Sequence, residues 1–472
     1  SDVCSSDLTP ATEIPMTLVG TNWECDIDFN NGDYFTFATL PLIAPGNVTA
    51  NNVLWLRADM GVGGTTTATS WSDLSVKGWS SSQATSANQP LYNTTTNLLN
   101  FNPTIGFDGS NDYLMSTNNL GTAITSNAVD AYLVGSVTGG STAYSAGFSV
   151  ASAGTTDANV ASNAVLFIRN NGTNNFISYR NNIALGNSTG LTTNATYINE
   201  AGFNGSNQFI QSVNDKNLST TAYTNAAFNV NRYTVGSRMS GASGAASEYI
   251  SGNIAEVILY DVANSTATDR QKIRSYLAVK YGQTLDQTTP YNYIASDGST
   301  IWDATSGNNP TYKNNITITG RDDGSLLLQK QSLSQNNGIV FTPGIVTLSK
   351  GTTISTSNSN NNGSFTADKS FIGFGDNGSS LSYNLYSGGT ATNVRMDRVW
   401  KVQRVGADAG NVTLQVSDAS ATHLLIYSDA ALTSLVSETA LSGSIATNVT
   451  LTNGQYFTFA RSQKAPGGVI SS

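Results

Sequence analysis

Residues 257–260 (VILY) are one of many short apolar runs in this chain of 472 residues. Similar runs occur at 132–134 (YLV), 165–168 (VLFI), 176–179 (FISY) and 209–213 (FIQSV), and segments rich in Gly, Asn and Ser separate them. Strands of this length alternating with small polar turn residues are typical of a sheet protein. The fold class predicted is therefore all-β, built as a sandwich with almost no helix.

One helix is predicted just after the run 257–260. Thr266 and Asp269 have the spacing of a capping-box variant, and Gly282 supplies a stop. Four residues between them fall on one helical face: Ile273, Tyr276, Leu277 and Tyr281. An apolar helical face has to pack on another apolar surface, and we expect that surface to be an edge of the sandwich.

The composition excludes several classes of protein. Charged residues make up 11% of the chain and hydrophobic residues 39%, whereas a disordered chain usually combines low hydrophobicity with high net charge. The net charge is −9 and the 22 Lys and Arg residues are spread thinly, so no basic cluster is available for nucleic acid. No stretch approaches the roughly 20 apolar residues of a membrane span.

A self-match indicates a repeated unit. The segment 32–38 (GDYFTFA) recurs as 454–460 (GQYFTFA), and Ala-Pro-Gly follows each copy, at 44–46 and at 465–467. Self-similarity at a fixed offset is the sequence signature of a repeat. We therefore expect this chain to be a window cut from a larger array, with the tail of one unit followed by one whole unit.

Domain boundaries follow from the repeat and from breaks in the strand pattern. The first eight residues (SDVCSSDL) resemble a translated sequencing adapter and are expected to be foreign to the protein. The remaining segments predicted are, in chain order, the closing strands of a preceding β domain (9–39), a linker (40–52), a first β domain (53–289), a second β-sandwich (290–460) and a linker to a next unit (461–472). Within the second sandwich, 357–363 (SNSNNNG) is predicted to be a surface loop too polar to pack.

The first β domain resembles a known family. The segments that carry the resemblance are 54–59 (LWLRAD), 71–73 (WSD), 107–114 (FDGSNDYL), 254–261 (IAEVILYD) and 276–282 (YLAVKYG). Together they look like a concanavalin A-like (laminin G type) lectin/glucanase domain of the kind found in large secreted bacterial surface proteins. The resemblance implies a jelly-roll sandwich with one short capping helix.

The second domain is similar to the β domain that follows in such proteins. Its matching segments are 318–323 (ITGRDD), 329–332 (QKQS) and 365–371 (FTADKSF). The resemblance implies a secreted or cell-surface location and a role in adhesion or carbohydrate contact. It identifies no ligand, because this superfamily includes lectins, enzymes and structural modules.

The acidic residues argue against an enzyme. Glucanases of this fold usually carry a Glu-x-Asp-x-x-Glu pattern on one strand, to supply the two carboxylates that glycoside hydrolysis needs. This chain has six glutamates: Glu13, Glu24, Glu200, Glu248, Glu256 and Glu438. The nearest match, 24–28 (ECDID), has Phe29 in place of the second Glu. The single histidine, His423, lies in the apolar run 423–427 (HLLIY) and is expected to be an ordinary strand residue.

Segment 108–112 (DGSND) is the main candidate site. Asp and Asn side chains hydrogen-bond turn backbone and Gly allows positive φ, so a tight turn explains the segment fully. The alternative is that Asp108, Asn111 and Asp112 bind calcium or a sugar hydroxyl. No other cofactor is expected.

Three tryptophans of the first domain could stack on sugar rings. Trp55 alternates with leucines in a strand, which suggests a core position, and Trp71 is the second of the three. Trp79 lies among Gly78 and serines and is expected to be the exposed one.

The function predicted is therefore a non-enzymatic extracellular surface or adhesion repeat protein, whose first domain contacts glycans or other cell-surface polymers. The alternatives are a glycoside hydrolase accessory or catalytic module and a pure structural spacer.

Overall fold

The computed structural model describes the following residues: 17–19, 22–24, 31, 42–116, 128–141, 145–151, 166–169, 176–180, 183–185, 191–204, 208–222, 232–240, 245–261, 266–307, 309–408 and 410–462. The chain divides into two compact units, Ser1–Leu42 and Ile43–Ser472. In the first unit, strands β1 (Thr17–Val19) and β2 (Asn22–Glu24) pair antiparallel. The first copy of the repeated segment, 32–38, lies outside the described residues.

The first sandwich contains the strands β3 (Asn52–Arg57), β4 (Val62–Gly63), β5 (Ser70–Trp71), β6 (Ser81–Ser82), β7 (Leu91–Asn93), β8 (Thr104–Asp108), β9 (Leu114–Ser116), β10 (Asp130–Gly140), β11 (Ala146–Ala151), β12 (Leu166–Arg169), β13 (Phe176–Arg180), β14 (Ile183–Leu185), β15 (Thr196–Asn204), β16 (Gln208–Val213), β17 (Lys216–Ala222), β18 (Arg232–Val235), β19 (Arg238–Ser240), β20 (Ala245–Ser247) and β21 (Ile250–Tyr260). One sheet has the order β17-β16-β15-β10-β21-β8-β7, with β3 also on β21, and the other has the order β14-β13-β12-β11-β18-β9-β6-β5-β4. The two sheets pack face to face, which confirms the predicted sandwich.

Strand β21 shows why the run 257–260 is apolar throughout. Val257 and Leu259 point into the core between the two sheets, together with Phe148 of the opposite sheet. Ile258 and Tyr260 belong to a second buried cluster on the other side of the same sheet. Because side chains alternate across a strand, a strand covered on both faces needs apolar residues at every position.

The layer that covers this outer face contains the helix α1 (Ala267–Tyr281). The predicted ends are confirmed: the Thr266 side chain accepts a hydrogen bond from Asp269 N at 3.0 Å, and Gly282 has the left-handed φ of 62°. The predicted partner is wrong. The helix lies between the first sandwich and the second one, rather than at a sandwich edge. Its C-terminal half is therefore buried on all sides, including polar Ser275 and Lys280.

The second sandwich contains the strands β22 (Gln283–Thr284), β23 (Tyr293–Ile294), β24 (Thr300–Trp302), β25 (Asn314–Asp322), β26 (Leu327–Gln329), β27 (Gln331–Ser332), β28 (Asn336–Asn337), β29 (Val346–Ser349), β30 (Ser370–Asp376), β31 (Tyr383–Leu385), β32 (Val394–Met396), β33 (Trp400–Val405), β34 (Val412–Val416), β35 (His423–Tyr427), β36 (Leu435–Ala440), β37 (Ile445–Val449) and β38 (Tyr456–Arg461). One sheet has the order β26-β25-β30-β33-β38-β32-β31, with β35 on β38 and β36 on β35, and it faces the sheet β27-β29-β34-β37. His423 begins β35, as predicted.

The second copy of the repeated segment forms the inner strand β38. Phe457 and Phe459 lie in the core of the second sandwich, and the Trp400 ring stacks on Phe457 with centroids 5.3 Å apart. On the same sheet, β38 pairs with β32, β33 and β35. In the second copy, phenylalanines that both copies share are therefore core residues of a central strand.

The loop 357–363 and part of the predicted linker 40–52 are packed against the rest of the chain. In 357–363, Ser357 and Asn361 are buried, and the Asn361 amide donates to Gln331 Oε1 at 3.1 Å and to Ser349 Oγ at 2.7 Å. The prediction that this loop is too polar to pack is wrong, because its polar groups bond to polar groups of β27 and β29. Within the predicted linker 40–52, Pro45 and Gly46 are buried against the helix. The domain boundaries inside Ile43–Ser472 stay predictions.

Candidate functional site

The segment 108–112 forms a tight turn at the end of β8. Asp108 Oδ1 accepts hydrogen bonds from Ser110 N at 2.7 Å and from Asn111 N at 3.3 Å. Gly109 has φ of 81°, in the left-handed region that favours glycine. The turn that the sequence predicts is thus present, and it holds the three polar candidate residues in fixed positions.

The two carboxylates of this turn differ in environment. Asp108 is exposed, whereas Asp112 is buried and accepts a hydrogen bond from Asp108 N at 3.1 Å. Burial, together with the nearby Asp108 carboxylate, raises the pKa of Asp112 to about 6. Asn111 is anchored from the side, since its Nδ2 donates to Ala87 O at 2.9 Å and to Asn88 Oδ1 at 3.1 Å.

Two half-buried tyrosines flank the turn. The ring centroids of Tyr113 and Tyr249 are 6.2 Å apart, with an interplanar angle of 36°. Tyr113 follows Asp112 directly, and Tyr249 is brought close by the register of β8 with β21, in which Asp108 pairs with Ser251. The Tyr249 hydroxyl donates to Ala246 O at 3.0 Å, which fixes the ring further.

We call this surface the tyrosine–aspartate patch, which consists of Asp108, Asn111, Asp112, Tyr113 and Tyr249. Aromatic rings offer apolar faces, and carboxylates and amides next to them offer hydrogen-bond partners. Such a combination can contact the apolar face and the hydroxyl groups of a sugar ring.

The expectation that Trp79 is exposed is wrong. Its side chain is 7% exposed and belongs to the core of the first sandwich. The carboxylate of Asp73 explains this position, because it accepts hydrogen bonds from Trp79 N and Ser75 N, at 2.8 and 2.9 Å, and so closes the intervening turn. Trp55 and Trp71 are buried as well. The small polar residues next to Trp79 in sequence indicate the turn, and they do not indicate whether the Trp79 ring is exposed.

Tyr249 was missed by sequence reasoning. It lies in no recognisable motif, between a glutamate and an isoleucine, and it reaches the turn only through the pairing of β8 with β21. Tyr113 lies inside the segment that carried the family resemblance, but nothing in the segment distinguishes a surface tyrosine from a core one.

A second polar group lies at the junction of the two sandwiches. We call it the buried charge cluster, which consists of Arg57, Asp59, Glu256 and Lys280. Lys280 Nζ donates to Glu256 Oε2 at 2.9 Å and to Asp59 Oδ1 at 2.8 Å. Arg57 also donates to Asp59, and to Leu326 O of the second sandwich at 2.9 Å. The cluster therefore joins the first sandwich, the helix and the second sandwich.

Glu256 receives further donors within this cluster. Trp55 Nε1 donates to it at 2.7 Å, Tyr281 at 2.7 Å and Tyr276 at 2.9 Å. Burial disfavours ionisation of the neighbouring Asp59, but Arg57 and Lys280 outweigh it and hold the pKa of that carboxyl well below its usual range. Perturbed carboxylates can indicate an active site. Here Glu256 is fully buried, and its surroundings are those of a structural ion-pair network.

Three other glutamates are also engaged. Glu200 pairs with Arg274 at 2.7 Å, Glu248 pairs with Arg238, and Glu438 accepts from the hydroxyls of two threonines of segment 390–392. Most of segment 24–28 lies outside the described residues. Within the described part of the chain, no group of three or more His, Cys, Asp or Glu side chains could hold a metal ion. Calcium at the turn 108–112 stays a prediction.

Comparisons with known proteins find one family and several similar structures. A family model described as "Domain of unknown function (DUF8202)" matches residues 269–457. The match begins inside the helix. It continues through most of the second sandwich. No curated protein sequence matches the chain.

Three solved structures are similar at low identity. Domain 4 of AbnA, a GH43 extracellular arabinanase from Geobacillus stearothermophilus in complex with arabinotriose, has 11% identity, a TM-score of 0.26, and coverage of 37% of this chain and 76% of that chain. The binding domain of botulinum neurotoxin DC in complex with SialylT has 12% identity, a TM-score of 0.32, and coverage of 83% and 78%. The CBM40 of Ruminococcus gnavus IT-sialidase, bound to alpha2,3 sialyllactose, has 14% identity, a TM-score of 0.27, and coverage of 36% and 94%.

Similarities at this level say nothing about the ligand of this chain. Neither the family match nor these three structures names a laminin G domain, so that part of the resemblance stays a prediction.

Proposed function

We propose that the protein is a non-catalytic module of an extracellular surface protein, and that its first sandwich binds carbohydrate through the tyrosine–aspartate patch. The observation that carries the proposal is the pair of half-buried rings, Tyr113 and Tyr249, beside the hydrogen-bonded turn 108–112. The location at a bacterial surface rests on the sequence resemblance alone.

The patch suits a sugar because it combines two kinds of contact. The tyrosine rings offer an apolar face for the C–H groups of a pyranose ring. The exposed Asp108 carboxylate accepts hydrogen bonds from sugar hydroxyls, and the half-buried Asn111 offers an amide beside it. Since the turn holds both residues in place, little conformational entropy is lost on binding.

The positions of two glutamates of the first sandwich support the non-catalytic part of this proposal. Glycoside hydrolysis uses two carboxyl groups on either side of one glycosidic bond. Glu256 is buried in the charge cluster and Glu200 is buried against Arg274, so neither faces an open cleft.

In the described part of the chain, no helix has the length and apolarity that a membrane crossing requires.

A structural spacer is the second candidate function. The buried charge cluster favours it, because Arg57 and Lys280 tie the first sandwich, the helix and the second sandwich into one body. A rigid two-sandwich unit would serve to extend other domains away from a surface without binding anything itself.

A glycan array tests the proposal. We expect the intact chain to bind a subset of glycans, and Tyr249→Ala to weaken that binding about tenfold, the equivalent of about 1.4 kcal/mol for a lost aromatic contact. The matched control is Tyr386→Ala, which removes a half-buried tyrosine of the second sandwich. Thermal unfolding of both variants checks that they are folded.

The same array, together with an assay of reducing-sugar release, distinguishes the alternatives. No binding on a broad array would contradict the proposal and favour the spacer. Binding that EDTA abolishes and added calcium restores would show that binding depends on calcium, which is the result that the calcium alternative for the turn 108–112 predicts. Release of reducing sugar from a polysaccharide would favour the glycosidase alternative instead.

A further inference from the structure

We infer that the tyrosine–aspartate patch selects sugars that carry a free, protonated amino group, and that it rejects sugars that carry a carboxylate. The inference rests on the proposed function and names the class of sugar that the same site takes. The paired rings of Tyr113 and Tyr249 supply the contact with the sugar, whereas Asp108 and Asp112 supply the discrimination among sugars. In an amino sugar such as glucosamine, an amine stands in place of one ring hydroxyl.

The polar atoms that the turn offers to a ligand are acceptors. Asp108 Oδ1 serves the turn by accepting from Ser110 N and Asn111 N, but a carboxylate has about four acceptor sites, so this exposed side chain retains some for a ligand. The Asn111 amide, in contrast, uses both of its N–H donors, on Ala87 O at 2.9 Å and on Asn88 Oδ1 at 3.1 Å. Its oxygen is therefore the atom that remains for a ligand.

This set of acceptors matches an ammonium group. An ammonium group brings three N–H donors and a positive charge, whereas the carboxylate of a uronic or sialic acid brings acceptors and a negative charge. The aromatic rings favour the same sign, because the face of a tyrosine ring is negative and attracts a cation that lies within about 6 Å of its centre. An acidic sugar would meet like charge at the turn.

The chain around the turn contributes no positive charge. Between Lys77 and Arg169 the sequence has no Lys or Arg, and the whole turn 108–112 lies within this stretch. The charged group that acts on Asp112 is Asp108, which together with burial raises the pKa of the Asp112 carboxyl to about 6. At neutral pH Asp112 is therefore ionised, and it adds to the negative charge of the patch.

The arginine next to Tyr249 is already paired. Arg238 lies on β19, and its partner on β20 is Ser247, two residues before Tyr249. The Arg238 guanidinium forms an ion pair with Glu248, and the Arg238 side chain is 5% exposed. Because this cation is buried and compensated, the pair adds no net charge to which a sugar carboxylate could bind.

Ligand-observed NMR titrations of the full chain at neutral pH, with EDTA present, test the inference. The probes are the methyl glycosides of glucosamine, N-acetylglucosamine, glucose and glucuronic acid, which differ in charge on one ring. We expect the glucosamine glycoside to bind about tenfold more tightly than the two neutral ones, and the glucuronic acid glycoside to bind most weakly. Added salt should reduce the preference, because it screens the charges.

Asp108→Asn should remove most of the preference, measured as the ratio of the affinities for the glucosamine and glucose glycosides. The variant removes the charge but keeps Oδ1 as the acceptor of the turn. Asp297→Asn is the matched control, because 297–299 repeats the sequence Asp-Gly-Ser and Asp297 Oδ1 likewise accepts from Ser299 N, at 2.9 Å, but in the second sandwich. The comparison of the four probes uses the wild-type chain and so does not depend on how either variant folds.

Several outcomes would overturn the inference and leave the proposed function standing. These are equal affinities for the glucosamine and glucose glycosides, tightest binding of the glucuronic acid glycoside, and an equal loss of preference in Asp108→Asn and Asp297→Asn. Binding of Nα-acetyl-lysine amide as tight as that of the amino sugar would also overturn it, because that probe has the ammonium group without the sugar ring. If no glycoside binds at all, the proposed function fails as well.

Discussion

At the scale of single residues, Glu256 is the position at which the structure depends most on one charge. Four donors point at its two oxygens: Trp55 Nε1, Tyr276 Oη, Tyr281 Oη and Lys280 Nζ, with the Tyr276 hydroxyl in reach of both oxygens. A carboxylate can accept all of these bonds, whereas an amide would place its own N–H groups against donors.

We therefore expect Glu256→Gln to be strongly destabilising. Removing one partner of a buried ion pair typically costs about 3–5 kcal/mol, because the other charge remains buried. The measurement is the free energy of unfolding in urea. Glu438→Gln is the control, since Glu438 lies half-exposed and accepts from threonine hydroxyls. A loss of less than about 1 kcal/mol for Glu256→Gln would show that the cluster is not a stabilising centre.

Asp112 gives a prediction about pH. Its pKa is about 6 in the folded protein, above the ordinary value of 3.8, so the folded state binds the proton more tightly than the unfolded state does. The stability that this group contributes is present below pH 4 and is lost as the pH rises to about 6. Relative to the wild type, Asp112→Asn should therefore become more stable between pH 4 and pH 7, because the amide has no charge to bury.

Urea midpoints measured across that pH range check this. Asp108→Asn is the companion variant. Because it removes the nearby charge that helps to raise the pKa of Asp112, we expect the pH window to move downwards. Parallel pH profiles for Asp112→Asn and the wild type would show that Asp112 titrates normally.

At the scale of secondary-structure elements, the helix could be predicted and its surroundings could not. Its ends depend on local chemistry, namely the Thr266 cap and the left-handed Gly282, which the sequence shows directly. Its neighbours depend on contacts between distant segments. Lys280 is buried because Asp59 and Glu256 meet it there, and neither partner is adjacent to it in sequence.

The same division holds for the candidate site. The turn 108–112 could be predicted because its hydrogen bonds are local. The partner ring of Tyr249 could not, since only the register of β8 with β21 brings it to the turn. The exposure of Trp79 could not be predicted for a related reason: it depends on how Asp73 closes the preceding turn, and not on the polarity of adjacent residues.

Gly282 tests how tightly the end of the helix is packed. A Cβ at this position would lie 2.4 Å from Leu333 O, and φ is 62°. Gly443 has a similar φ of 58° but no heavy atom within 4 Å of such a Cβ. Gly443→Ala should therefore cost only the left-handed strain of about 1–2 kcal/mol, whereas Gly282→Ala should cost about 1–3 kcal/mol more through overpacking. Urea unfolding of both variants measures the difference, and equal losses would mean that the helix end adapts freely.

At the scale of the whole molecule, the two sandwiches share one buried layer. This layer contains Tyr132 and Ile258 from the first sandwich, Leu277 from the helix, and Trp302 and Ile318 from the second sandwich. Neither sandwich could expose its side of the layer to water without a large loss of apolar burial.

The residues 43–462 should accordingly unfold in one cooperative transition. Far-UV circular dichroism and tryptophan fluorescence should give the same urea midpoint, since coincident probes are the sign of two-state unfolding. Tryptophans are well placed to report, with Trp71 in the first core and Trp400 in the second. Two resolved transitions would instead indicate that each sandwich folds independently of the helix layer.

The position of β38 has a mechanical consequence. Tension applied to the chain beyond Arg461 reaches the second sandwich along a strand that has partners on both sides, β33 and β32 on one and β35 on the other. Several ladder hydrogen bonds then bear the load together, whereas an edge strand would peel away one bond at a time. A sandwich anchored in this way should therefore resist force applied at this end of the chain.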